Sequence, residues 1–231
     1  MATEFFWDSK SQRYRDSQSG KFLSEQQVRS LTMKAISQVK ADMYTIADLL
    51  IDGKISVATW ESGTQETIKR LHTWNYLLGI GGEKQMNQQE YQTLSNLISK
   101  QYEWLRGFAE TLTNKGMSEA QFLARLDMYA AAGGGSFQRA REEGHQRAGF
   151  AWERRRRTKS NSCYPCINYA SAGWQPIGTL PAPMQACDCH SNCGCYKQFS
   201  DSTERPQDMI LNQFGWLKSD GLNRNFKIKC C

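Results

Sequence analysis

The chain has no run of eighteen apolar residues, so no transmembrane helix is expected. Its opening residues, MATEFFWDSKSQRYRD, have neither the basic start nor the apolar core of a signal peptide. The expected folding compartment is therefore a reducing cytoplasm, with oxidation open only to a protein that later leaves the cell. No internal repeat and no long low-complexity tract is present, which sets aside repeat arrays and unstructured linkers. The one glycine-rich stretch, Gly133 to Gly135, does not follow a strand and lacks the Lys-Ser/Thr of a phosphate loop, which argues against nucleotide binding. Histidine is scarce, at three residues. His72 sits between Leu71 and Trp74 and reads as a core or boundary residue. His145 lies among arginines and reads as solvated. Nothing here favours a Cys/His nucleophilic pair.

Cysteine, by contrast, is abundant and clustered. The 231 residues contain eight cysteines, and seven potential metal ligands fall close together: Cys163, Cys166, Cys187, Cys189, His190, Cys193 and Cys195. A Cys-Tyr-Pro-Cys knuckle points two thiolates from one tight turn at a single ion, and a second cluster downstream can close a tetrahedral site. The intervening segment, with Gly173, Pro176, Gly178, Pro181 and Pro183, buries little apolar surface, so a metal or disulfides must stabilise it. In a reducing compartment a metal is favoured over disulfides. The site is thiolate-rich, with Asp188 as its only carboxylate and no helically spaced acid to serve as a base, so it reads as structural zinc rather than catalytic. The preferred ligands are Cys163, Cys166, Cys193 and Cys195, with His190 as the alternative fourth. Cys187 and Cys189 are alternatives that replace part of that set or help bind a second ion.

The expected fold is mainly α: a helical bundle, then a small zinc-knuckle or ribbon-like module, preceded by a short hairpin arm. Residues 1–23 form the arm, with Arg13 to Asp16 and Lys21 to Leu23 flanking a Ser17 to Gly20 turn. Its aromatic cluster, Phe5, Phe6 and Trp7, must dock either on this chain's helices or on a neighbouring subunit. Residues 24–158 form the helical domain. Ser24, Ser56, Asn87 and Ser118 are helix starts, and Asp52-Gly53, Gly79 to Gly82 and Gly116 are stops. Each glycine costs about 1 kcal/mol in a helix interior relative to alanine, so a break is expected near 133–135. A last helix should resume at Phe137 and end at about Thr158. The cysteine module covers 159–199. The tail, 200–231, holds an amphipathic segment at Met209 to Leu217 and ends at Cys230 and Cys231.

The formal charge of +6 is concentrated. Between Arg139 and Lys159 eight Lys/Arg face three Glu. Arg154, Arg155, Arg156, Arg157 and Lys159 are candidate contacts for nucleic acid or an acidic protein surface; a solvated helix end is the plain alternative.

Taken together, Arg139-Ala-Arg-Glu-Glu, Trp152, Cys163-Tyr-Pro-Cys166, Gly173-Trp174, Pro181-Ala-Pro183 and His190-Ser-Asn-Cys193-Gly-Cys195 resemble the C-terminal half of phage minor head proteins, the head-morphogenesis family typified by that of phage Mu. The resemblance covers roughly residues 137–199. It implies a non-enzymatic virion protein acting in head assembly, head–tail joining, or DNA packaging and ejection. Its expected partners are portal, capsid or other virion proteins, in multiple copies within a symmetric assembly and without a membrane. It would reside in the virion, and in the host cytoplasm during assembly. Two other classes stay open: a zinc-module DNA-binding protein, recognised by salt-dependent DNA retention, and a metal-dependent nuclease, recognised by divalent-metal-dependent cleavage.

Overall fold

The computed structural model describes residues 5–8, 10–11, 13–183, 186–189 and 193–207, with the backbone of 210–211 and 217–218. Four long helices dominate: α1 (Glu25–Ile51), α2 (Val57–Ile80), α3 (Gln88–Lys115) and α4 (Glu119–Arg147). Each begins where local chemistry demands. Ser24, Asn87 and Ser118 accept a hydrogen bond from the backbone three residues on, and Gln27, Glu90 and Gln121 return one to the cap's own N–H. Ser56 caps α2 through the Thr59 amide. Gly81 ends α2 in the left-handed region, at φ 97°, where a side chain would be strained.

α2 packs against α4, α1 contacts both, and α3 packs mainly against α2. The core between them is aromatic. Trp60 meets Phe108 edge-on at 5.4 Å, and Phe108 also touches Phe122 and stacks on Tyr129.

The triple glycine does not break the chain. α4 runs through Gly133 to Gly135 without interruption, and all three are buried. A Cβ on Gly133 would lie 2.6 Å from Leu71 Cγ and 2.9 Å from Asn75 Nδ2 on α2. The glycines bring two helix backbones together, and tertiary packing offsets their propensity cost.

The arm is a hairpin of β1 (Phe5–Asp8) with β2 (Arg13–Asp16); the expected pairing of β2 with the segment at Lys21 reduces to one bridge, Arg15 with Phe22. Two of its three aromatics, Phe5 and Trp7, dock on this chain's own helices. Phe5 is buried in this chain's own core with Tyr14, Val28, Leu78 and Phe137. The Trp7 amide donates to the Gly81 carbonyl at 2.8 Å, and a Cβ on Gly81 would lie 2.1 Å from Trp7 Cβ. Tyr14 Oη donates to the Gly79 carbonyl at 2.7 Å. Phe6 alone of the three is exposed.

The last expected helix, 137–158, is also revised. α4 stops at Arg147, Gly149 turns the chain at φ 86°, and residues 152–156 form a strand. That strand, β3 (Trp152–Arg156), is the centre of an antiparallel sheet between β4 (Gln175–Pro176) and β5 (Tyr196–Ser200), with Trp152 opposite Ser200 and Arg156 opposite Tyr196. The cysteine module therefore begins at about residue 150, not 159. One short helix, α5 (Tyr164–Ser171), completes it. Strands β6 (Ile210–Leu211) and β7 (Leu217–Lys218) pair in the tail; Cys230 and Cys231 lie outside the described residues.

The module is clamped to the bundle by charge. Lys197 on β5 is fully buried and donates to Glu153 of β3 at 2.8 Å and to Glu142 of α4. Glu153 Oε1 also accepts from the Leu180 amide at 2.6 Å. Removing one member would leave an uncompensated buried charge. Arg29 of α1 donates to the carbonyls of Gly194 and Cys193.

Candidate metal centre

Pro165 lies in the first turn of α5, where its missing N–H costs nothing. Cys163 occupies the cap position of that helix and Cys166 its first turn, so both thiols leave the same end of it. The Cys187-Asp188-Cys189 turn adds two more. The Sγ atoms of Cys163, Cys166, Cys187 and Cys189 all lie within 4.8 Å of one another. Cys166 also belongs to a second group with Cys193 and Cys195, which flank Gly194 just before β5. A Cβ at Gly194 would lie 2.7 Å from Thr158 Oγ1, and that hydroxyl donates to the Gly194 carbonyl. The turn between the two cysteines is thus held tightly against the Thr158 and Lys159 side chains.

The spacing suits a tetrahedral ion. Sulphurs bound at the 2.3 Å of a zinc–thiolate bond stand about 3.8 Å apart; Cys166 Sγ lies 3.9 Å from Cys189 Sγ and 3.7 Å from Cys193 Sγ. All six are free thiols. The cluster can hold a metal ion. The four thiols that converge are not the preferred set: Cys187 and Cys189, the alternative donors, stand with Cys163 and Cys166, while Cys193 and Cys195 form a second group with Cys166. His190 lies outside the described residues.

Arg155, expected among the contacts for nucleic acid or an acidic partner, lies instead against the sulphurs. β3 alternates, so Glu153 and Arg155 face inward while Arg154 lies at the margin. Arg155 Nη2 donates to Cys166 Sγ at 3.4 Å and Cys193 Sγ at 3.6 Å, Nη1 donates to the Pro181 carbonyl, and the guanidinium lies over the Tyr169 ring. Burial works against its charge, but hydrogen bonds with the Cys193 and Cys195 thiols outweigh that and raise its pKa.

The thiols shape one another's acidity. Burial pushes Cys163 up, but hydrogen bonds from Cys189 and Cys166 outweigh it and hold the thiol at about 7. Cys166 is pushed up by burial, against the pull of Arg155. Cys195 is raised first by the adjacent Cys193 thiol and then by burial. Packed sulphurs cannot all ionise unaided, and a bound cation relieves that conflict.

The basic run is not a helix end. Arg154 Nε donates to Gln198 Oε1 at 2.8 Å and its guanidinium stacks over Trp174 at 4.5 Å. Arg155 faces the sulphurs. Arg156, Arg157 and Lys159 remain exposed. His145 is not solvated either: its ring stacks on Phe199 at 4.2 Å and meets Phe150 and Trp7 edge-on. His72 is buried, as expected, with Nδ1 2.6 Å from Ser136 Oγ.

No helix among the described residues is long and apolar enough to cross a membrane. No protein-family model, curated protein or solved structure matches the chain.

Proposed function

We propose that this chain is a non-enzymatic structural protein of a tailed-phage virion, a minor head or head–tail connection component that contacts portal or capsid subunits. One observation carries the reading. The motifs that resemble the minor head family are scattered from Arg139 to Cys195, yet their cysteines, Cys163, Cys166, Cys193 and Cys195, gather with Cys187 and Cys189 in one cluster whose module is locked onto the bundle through Lys197, Glu142 and Arg29. Such a centre acts as a rigid docking knob. The four-thiol group, Cys163, Cys166, Cys187 and Cys189, would hold structural zinc, since four thiolates quench the ion's Lewis acidity and leave no position for water. Exposed Phe6, Tyr91, Trp104 and Met128 offer apolar surface to neighbouring subunits, in multiple copies within a particle assembled in the host cytoplasm.

Exposed Arg156, Arg157 and Lys159 favour one second reading, contact with packaged DNA. Mass spectrometry of density-purified particles tests the first: the chain should be present in stoichiometric multiple copies. Its absence from particles, combined with salt-sensitive retention on DNA, would establish the second instead. Divalent-metal-dependent DNA cleavage by the purified chain would overturn both in favour of a nuclease.

A further inference from the structure

Cys193 and Cys195 are left over when the four-thiol group is filled, yet they are almost wholly buried and packed against Cys166. Two plain thiols there would explain the packing but not Arg155. Arg155 is 1% exposed, its Nε has no hydrogen-bond partner, and no carboxylate pairs with it among the described residues. A buried cation needs anions close by. The groups facing it are the sulphurs of Cys166 and Cys193, 3.4 and 3.6 Å from Nη2. Arg155 is therefore placed to neutralise thiolates at Cys166 and Cys193.

From this geometry we infer that the module binds two metal ions, the second held by Cys166, Cys193 and Cys195, with the Cys166 thiolate bridging the pair. This rests on the thiolate–metal reading given above. Two distances favour it: Cys166 Sγ stands 3.9 Å from Cys189 Sγ in one group and 3.7 Å from Cys193 Sγ in the other, both near the edge of about 3.8 Å expected for tetrahedral zinc thiolates. Charge favours it as well. A second divalent ion displaces the two protons of Cys193 and Cys195, so the net charge of the buried cluster does not change. With Arg155 beside it, the excess negative charge of six thiolates over two divalent ions falls from two to one. The trio supplies three donors, and the fourth position of the second ion is taken by a donor from outside it.

The full-length chain, purified under reducing conditions, saturated with zinc and freed of excess, should carry two zinc ions per chain by elemental analysis. Replacing Cys193 and Cys195 together with serine should lower this to one. Substitution with ¹¹³Cd should give two resonances in the thiolate range, coupled to each other through the shared sulphur, and this reading on the unaltered chain decides the matter if the double variant does not fold. One zinc in the unaltered chain overturns the second ion and leaves the first intact; no zinc overturns both. Two ions retained by the double variant, or two uncoupled cadmium resonances, overturn the bridge.

Discussion

His72 and His145 are buried imidazoles, and burial is the main reason both titrate far below an ordinary histidine, His72 at about 4 and His145 at about 3. The nearby Arg141 charge lowers His145 further, while its hydrogen bond to the Arg141 backbone works the other way. Folded, the rings stay neutral; unfolded, they take up protons below about 6.5. Their contribution to stability is therefore complete above pH 6.5 and is lost as the pH falls towards 4 for His72 and 3 for His145. Protonating His72 in the folded state costs about 3 kcal/mol at roughly 1.4 kcal/mol per pH unit of displacement. Asp8, held at about 2 chiefly by its hydrogen bond from Arg15, acts only at lower pH. Urea denaturation between pH 7 and 4.5 should show stability falling in the unaltered chain and falling less steeply in His72→Gln. Comparing the two removes any contribution from acid-labile metal binding, which both share. Equal slopes would mean that His72 is already charged or hydrated in the fold.

At the level of elements, glycine position separates packing from propensity. A Cβ on Gly79 of α2 would lie 2.4 Å from the Phe137 carbonyl oxygen and 2.7 Å from Ala140 Cβ on α4, whereas one on Gly107 of α3 meets nothing within 4 Å. Gly79→Ala should therefore destabilise by about 1–3 kcal/mol through overpacking, and Gly107→Ala should stabilise by about 1 kcal/mol through helix propensity. Thermal unfolding of both variants checks this; two increases would show that α2 and α4 lie further apart. The same contrast explains which elements were legible beforehand. Ser24, Ser56, Asn87 and Ser118 announce their helices because capping is local, and their bonds form within three residues. The run at Gly133 misled because its benefit comes from Leu71 and Asn75, some sixty residues away in sequence. β3 misled because its inward side chains are Glu153 and Arg155, so the strand carries no apolar alternation.

Across the whole molecule, the cysteines were legible as a cluster able to hold a metal but not as a ligand set. Spacing along a chain cannot say which of six thiols converge; that depends on α5, on the Cys187-Asp188-Cys189 turn and on where β5 enters the sheet. The same division governs stability. The bundle core, from Ile36 to Ala130, contains no residue of the module, while the module's own buried cluster is made of cysteines. If the proposed ion is bound, it supplies most of the module's folding free energy, and the bundle should not depend on it. Chelation under reducing conditions should leave the helical circular dichroism nearly unchanged. Trypsin should then cut at Lys159 and release a stable fragment containing all four long helices. The ion cluster of Lys197, Glu142 and Glu153 works against this separation, because parting the module from α4 breaks the Lys197–Glu142 pair, although water then solvates both charges. That solvation makes release tolerable once the thiols let go. A collapse of the helical signal on chelation would instead show that β3 and β5, through Phe199 against His145 and through Arg29, complete the bundle's core.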